Sequence, residues 1–467
     1  MKKNTNFDES FRDRISTVNR EGKREYVFPK MPQGKLHTYR LIVSWFLLAI
    51  VFLMPFVRVN GEPYFLIDVI SRRFILFGQI FWPQDTYLFA IIMLTMVVFI
   101  VVFTVSLGRL WCGWACPQTI FMEMVFRKIE YLIEGNASQQ RKLKKQEWNL
   151  EKIWKRTLKF SIFIVLSLML SAALFAWVIG TDKLFAMFGE SFSENRAAFI
   201  AMFLLAGFFL FIYSWFREQV CVILCPYGRL QSVLLDANTI LVAYDYNRGE
   251  PRGNYRKDED RGEAGKGDCI DCKACVEVCP TAIDIRNGTQ LECVNCTACI
   301  DACNHTMERI GKPKGLIRFD SENGISTGTK MKLNGRLIAY ISVLTALMIF
   351  LSVLIFSRSD VETTILRTPG LLFQKQPNGQ ISNLYNIKVV NKKREKFSLD
   401  VRLISPKGEV MMPSGEMMVK EAASTEGVFL VYINEKDVKG KIPITLGVYS
   451  GEKLIEEIEV TFVGVNQ

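Results

Sequence analysis

Histidine is almost missing from this chain: its 467 residues include only His37 and His305. A membrane haem held by two histidines is excluded, because one lies in the N-terminal arm and the other abuts a cysteine run. Both read as ordinary polar residues. A G-x-G-x-x-G fingerprint is missing too, so any electron donor is external. Cysteine is absent from 357–467, and all twelve cysteines fall between Cys112 and Cys303. That excludes a disulfide framework in the tail and leaves the thiols for metals and electrons.

Charge is missing from five stretches, 41–57, 87–107, 160–180, 197–216 and 337–356. Each is about long enough to cross a ~30 Å hydrocarbon core. In that medium only a helix pairs every backbone polar group internally. The composition agrees, being 49% hydrophobic with 34 phenylalanines yet 22% charged. No cleavable signal peptide is expected, since the first apolar stretch begins at Leu41 and lacks a small-residue cleavage site.

Lysine and arginine in the flanks set the orientation. Residues 1–40 hold ten and 109–159 hold eleven. The 60–86 connection has only Arg72 and Arg73, and 181–196 only Lys183 and Arg196. The N-terminus is expected inside, with five crossings and the C-terminal domain outside. The net charge of +11 is then mostly an orientation signal. Runs 142–145 and 252–261 read as solvated faces or lipid-facing edges, not as nucleic-acid sites.

Six segments follow. An arm (1–40) precedes four crossings arranged as two hairpin repeats (41–243). A charged, glycine-rich stretch with few aliphatics (244–268) reads as a linker. A cysteine-rich module (269–336), the fifth crossing (337–356) and a tail (357–467) complete the chain. In the tail the pattern turns to period-two strands at 385–390, 397–404, 428–433, 442–449 and 455–462. Such spacing predicts an all-β sandwich of immunoglobulin-like type.

Eight cysteines form two copies of one ruler. The first is Cys269-x2-Cys272-x2-Cys275-x3-Cys279-Pro280, and the second is Cys293-x2-Cys296-x2-Cys299-x3-Cys303. A 4Fe–4S cubane takes three thiolates from one tight loop and a fourth from a distance, which crosses over in two-cluster modules. Cys269, Cys272, Cys275 and Cys303 are expected to hold one cluster. Cys293, Cys296, Cys299 and Cys279 are expected to hold the other. Zinc ribbons use spaced pairs rather than four-cysteine runs. Asn304 stands where the second copy would carry proline.

The remaining four form another repeat, Cys112-Gly113-Trp114-Ala115-Cys116-Pro117 and Cys221-Val222-Ile223-Leu224-Cys225-Pro226. Each begins five residues beyond an uncharged crossing, so both pairs sit at equal depth just outside the inner boundary. Pro117 and Pro226 are expected to end one helix and open another, which places Cys116 and Cys225 at helix N-termini, where a thiolate is favoured. Four shared thiolates suit cuprous copper, zinc or a further iron–sulfur cluster, and a redox disulfide is also open. Trp111, Trp114 and Tyr227 flank them as interfacial aromatics. In the tail, Met411, Met412, Met417 and Met418 surround a turn. They are a candidate cuprous site, set against a hairpin whose methionines pack into the sandwich.

The order of hairpin, CGWACPQT, hairpin, CVILCPYGR, CIDCKACVEVCP and CVNCTACIDAC resembles the CcoG (FixG, RdxA) family over nearly the whole chain. The resemblance implies a multi-domain membrane protein of the bacterial cytoplasmic (inner) membrane. Its expected parts are a five-helix transmembrane region, a dicluster ferredoxin-like α+β insert and a periplasmic immunoglobulin-like β sandwich. It implies two 4Fe–4S clusters, with copper as a further metal. It also implies reduction of cupric to cuprous ion for assembly of the cbb(3)-type cytochrome c oxidase, with Cys112, Cys116, Cys221 and Cys225 as the reducing thiols. The partners expected are a cytoplasmic electron donor, copper, oxidase-assembly or copper-chaperone proteins and membrane lipid, with no nucleic acid; a homodimer is left open. Two other functions fit the motifs: an electron conduit to an exported reductase, and a non-enzymatic redox-sensing assembly scaffold.

Overall fold

The computed structural model describes residues 17–464 except 19–20, 22, 60, 69–72, 83–84, 257, 329–333, 360, 369–372, 393–394, 414, 416 and 422. Five helices are long and apolar enough to cross a membrane: Lys35–Phe56 (α1), Thr86–Leu107 (α2), Leu150–Ile179 (α3), Arg196–Phe216 (α4) and Gly335–Phe356 (α5). The third begins ten residues before its uncharged stretch. Asn149 caps it by accepting from the Lys152 N–H at 2.9 Å, and its first turns carry charge. Large apolar side chains such as Ile42, Phe46, Met93 and Phe203 face outward along the helices, as lipid contact requires. Two compact units result, Met1–Gly78 with Thr86–Leu351, and Gln79–Asp85 with Ser352–Gln467.

In the first unit, α3 and α4 form a hairpin, with the Ser171 hydroxyl donating to the Met202 carbonyl at 2.8 Å. Within the stretch 244–268 the chain makes one helical turn, Tyr246–Gly249, and Arg248 bonds Asp268 at 2.6 Å. Leu241–Tyr244 pairs antiparallel with Ile317–Asp320, and this two-stranded ribbon clasps the cysteine module at both ends. Run 252–261 is largely a solvated face, with residues 254–256, 258 and 260 exposed, and only its last residue turns inward. Arg261 is buried, and its guanidinium donates to the carbonyls of Gly253, Gly267 and Cys269. A segment poor in aliphatics is thus held by one cation serving several backbone acceptors.

The second unit is the sandwich. Its strands are Val361–Arg367 (β1), Gln374–Lys375 (β2), Gln380–Asn391 (β3), Phe397–Ser405 (β4), Glu409–Met411 (β5), Met417–Val419 (β6), Ser424–Asn434 (β7), Lys441–Ser450 (β8) and Lys453–Val463 (β9). One antiparallel sheet runs β5-β7-β3-β1, with β2 also on β3, and the other runs β6-β4-β8-β9. The inward alternation is strict enough to bury Ile381, Tyr385, Ile387 and Val389 on β3 against Leu446 and Val448 on β8. Tyr385 lies opposite Phe429 in register, with ring centroids 5.6 Å apart.

Candidate metal centres

Both ferredoxin loops need backbone that bends back on itself, and they solve it identically. Asp271 and Lys273 take φ of 53° and 56°, while Asn295 and Thr297 take 52° and 65°. Counted from the first cysteine of each run, these are the same positions. Non-glycine residues in this left-handed region carry strain, which persists where a surrounding site fixes it.

The turns gather the thiols as the crossed pattern requires. One cavity is lined by Cys269, Cys272, Cys275 and Cys303, with Leu316 and Ile317 among its apolar walls. A second is lined by Cys279, Cys293, Cys296 and Cys299, with Val242 and Ile283. Cys275 lines both, so the cavities are neighbours. Cys272 is the exposed member of the first quartet. The two runs differ at their ends: Pro280 follows a short helix, Ala274–Glu277, whereas Asn304 continues the helix Ala298–Arg309 and accepts from the Gly315 N–H at 2.9 Å.

The donor set fits an iron–sulfur group. Burial pushes the Cys275, Cys293 and Cys303 thiols up to about 12, and Cys296 to about 11. Free, these are inert buried thiols; only a metal that binds the thiolate outright draws the proton off.

Neighbouring residues hold the loops. Arg286 is buried and binds Asp284 and Asp271, the latter at 2.5 Å. Asp301, inside the second run, accepts from the Leu36 and His37 N–H groups at 3.3 and 2.8 Å, tying the start of α1 to the module. His305 meets Arg309 on the surface at 3.0 Å. Neither histidine enters a cysteine quartet.

The C-x3-C-P copies share a local geometry that the sequence pattern does not announce. In each, the second cysteine donates its N–H five residues back, Cys116 to Trp111 at 2.9 Å and Cys225 to Val220 at 2.8 Å. These wide turns end at extended residues, with Cys116 ψ at 124° and Cys225 ψ at 110°, and Pro117 and Pro226 then open the next helices. Such wide turns recur at functional sites.

The two copies converge. Cys221 lies within electrostatic reach of Cys116, Cys112 and Cys225, and Cys112 within reach of Cys116 and Cys225. Burial, then the neighbouring sulfurs, pushes Cys112 up to about 11 and Cys221 higher still. The Cys112 Sγ stands 3.4 Å from Oε1 of the fully buried Gln231. Cys112 and Cys221 pack in one cluster with Cys296 and Cys299. A Cβ on Gly113 would meet the Val294 carbonyl oxygen at 2.5 Å, so the first copy lies directly on the loop of the second run. Arg40 donates to the Gly113 carbonyl at 2.6 Å, and Arg109 to that of Gly228 at 2.5 Å.

Among the described residues no three His, Cys, Asp or Glu side chains close around one point as a single ion requires. The four tail methionines divide between the two sheets. Met411 and Met412 leave the end of β5 in one sheet, while Met417 and Met418 lie on β6 in the other. Met412 and Met417 pack into the core, and Met411 and Met418 face solvent.

What the pattern missed is a buried charge cluster beneath the quartet. Glu130, on the helix that follows Cys116, receives Arg217 through two bonds of 2.8 Å and lies 3.6 Å from Lys159 of α3. Glu218, three residues before Cys221, meets Arg127 and Arg24 at 3.5 and 3.0 Å. The only sequence signal is that these charges sit at a predicted membrane boundary.

Comparison with known proteins agrees with this architecture. A family model for a 4Fe-4S dicluster domain matches residues 216–322, and one for a 4Fe-4S binding domain matches 89–135. The model for the IG-like fold at the C-terminal of FixG matches 351–465. Protein RdxA of Cereibacter sphaeroides is 34% identical over 88% of this chain and 89% of its own length. Protein RdxB of the same organism is 33% identical over 85% and 88%, and the nitrogen fixation protein FixG of Rhizobium meliloti 28% over 87% and 83%. With its five apolar helices, paired cysteine quartets and terminal sandwich, the chain belongs to the FixG/RdxA family of iron–sulfur electron-transfer membrane proteins.

Proposed function

We propose that this protein takes electrons from a cytoplasmic donor and delivers them to cupric ion beside its four membrane-proximal cysteines, supplying cuprous ion for assembly of a cbb(3)-type cytochrome c oxidase. The observation that carries this reading is the contiguity of the three cysteine quartets. Cys272 opens the first to solvent, Cys275 lines both ferredoxin cavities, and Cys296 and Cys299 pack with Cys112 and Cys221.

Cys269, Cys272, Cys275 and Cys303 would hold one 4Fe–4S cluster, and Cys279, Cys293, Cys296 and Cys299 the other; each supplies one-electron storage and transfer. Leu316, Ile317, Val242 and Ile283 keep water off the sulfurs. Arg286 and Arg261 brace the first loop, and Asp301 anchors the second to α1. Soft sulfur at the membrane-proximal end favours the cuprous over the cupric state, which eases the reduction.

In this reading the N-terminus and ferredoxin module face the cytoplasm of a bacterial inner membrane, and the sandwich faces the periplasm. The internal pairings support that sidedness. Lys30 and Gly34 of the arm touch the cysteine module, while Asp85, from the connection between α1 and α2, binds Arg358 and Lys392 of the second unit.

The test is anaerobic. The reduced full-length protein is mixed with cupric ion, and cluster absorbance is followed together with a cuprous-specific chelator. Cuprous ion should form as the clusters reoxidise, and Cys225→Ser should abolish it with both ferredoxin clusters retained. Clusters that reduce normally yet never yield protein-dependent cuprous ion would reject the proposal.

A further inference from the structure

We propose that Cys112, Cys116, Cys221 and Cys225 hold a third 4Fe–4S cluster, shared between the two C-x3-C-P copies. The inference rests on the reading of the chain as an iron–sulfur electron carrier and gives its membrane-proximal end a resident cofactor.

Four observations converge. The first is the donor set: four sulfurs, two from each of two wide turns closed by the same N–H bond five residues back, lie within reach of one another. The second is packing: Cys112 and Cys221, one from each copy, share a cluster with Cys296 and Cys299 of the second ferredoxin quartet.

The third is a pair of buried polar groups at the site. The Gln231 amide lies against Cys112. The Trp114 indole N–H, inside the first copy, is buried with no hydrogen-bond partner. Such donors are rarely orphaned in a native interior. Sulfide and thiolate sulfurs of a cluster accept N–H bonds, which also set its potential. Buried cations complete the set. Arg109 acts electrostatically on both Cys112 and Cys293, and Arg40 on Cys296 while bonding Gly113. Both guanidiniums thus lie between this quartet and the second ferredoxin cavity, where an anionic cluster needs compensation.

The fourth is coverage. The 4Fe-4S binding model spans Cys112 and Cys116, and the dicluster model starts ahead of Cys221 and Cys225. The redox step balances as a relay. One electron arrives from the neighbouring quartet's cluster, which the external one-electron donor replenishes. One electron leaves to a cupric ion, making it cuprous, and no bond to the protein forms or breaks.

The experiment is an iron and acid-labile sulfide count on the full-length protein, purified and reconstituted without oxygen. Three cubanes carry about twelve irons per chain and two carry about eight. The wild type should give about twelve. Joint Cys→Ser replacement at 112, 116, 221 and 225 should give about eight, with the ferredoxin EPR signals kept. Should that variant fail to fold, Cys225→Ser alone is read by the loss or conversion of one cluster's EPR signal. About eight irons in the wild type, or a spectrum unmoved by Cys225→Ser, overturns the proposal, as does one zinc or copper ion bound at the quartet. About twelve irons without cuprous output would retire copper reduction and keep the third cluster; about eight with normal output would do the reverse.

Discussion

At the residue scale, the cysteines were legible because coordination chemistry dictates their spacing, whereas the residues that position them were not. Glu130 is the clearest case. In sequence it is one acid among the basic residues of a membrane flank; in the fold it faces Arg217, which is 1% exposed, and Lys159. Removing one partner of a buried ion cluster strands the others and typically costs about 3–5 kcal/mol. Glu130→Ala should lower the unfolding temperature of the solubilised protein markedly. Glu151→Ala, which breaks the exposed pair with Lys155, should leave it nearly unchanged, since such pairs contribute about 0–1 kcal/mol. Equal melting of the two variants would show that the cluster does not hold the two C-x3-C-P helices together. Arg261 escaped for a similar reason: composition reports few aliphatics, but not that one guanidinium serves four carbonyls.

At the element scale, hydropathy located all five crossings, and period-two alternation found the five long strands of the sandwich. β1 escaped although it has seven residues, and β2, β5 and β6 escaped because two or three residues carry no period. The wide turns escaped as well. Cys-x3-Cys-Pro is compatible with an ordinary helix end, and only the Cys116 and Cys225 N–H bonds reveal the extra residue in each turn. Gly113 records how closely the first turn seats on the second ferredoxin loop. Gly113→Ala forces the Val294 carbonyl away, since backbone at 2.5 Å cannot yield as a flexible side chain would. A cost of about 1–3 kcal/mol is expected for such overpacking, with iron lost more readily on gel filtration. Unchanged melting and iron retention in Gly113→Ala would mean that this seat is loose.

At the scale of the whole molecule, the charge asymmetry, the cysteine confinement to 112–303 and the internal pairings describe one arrangement. Reactive sulfur gathers at one end of the helices, and a cysteine-free sandwich follows α5. The adjacency of the three quartets was not legible, because it depends on Gly113, Arg40 and Arg109 bringing separate segments together. That adjacency is open to a direct magnetic test. EPR spectra of the anaerobically reduced full-length protein should show broadened, spin-coupled 4Fe–4S signals, as neighbouring paramagnetic clusters give, and Cys279→Ser should disturb the coupling. A sharp spectrum of isolated, non-interacting centres, unaltered by Cys279→Ser, would contradict a chain of contiguous iron–sulfur sites.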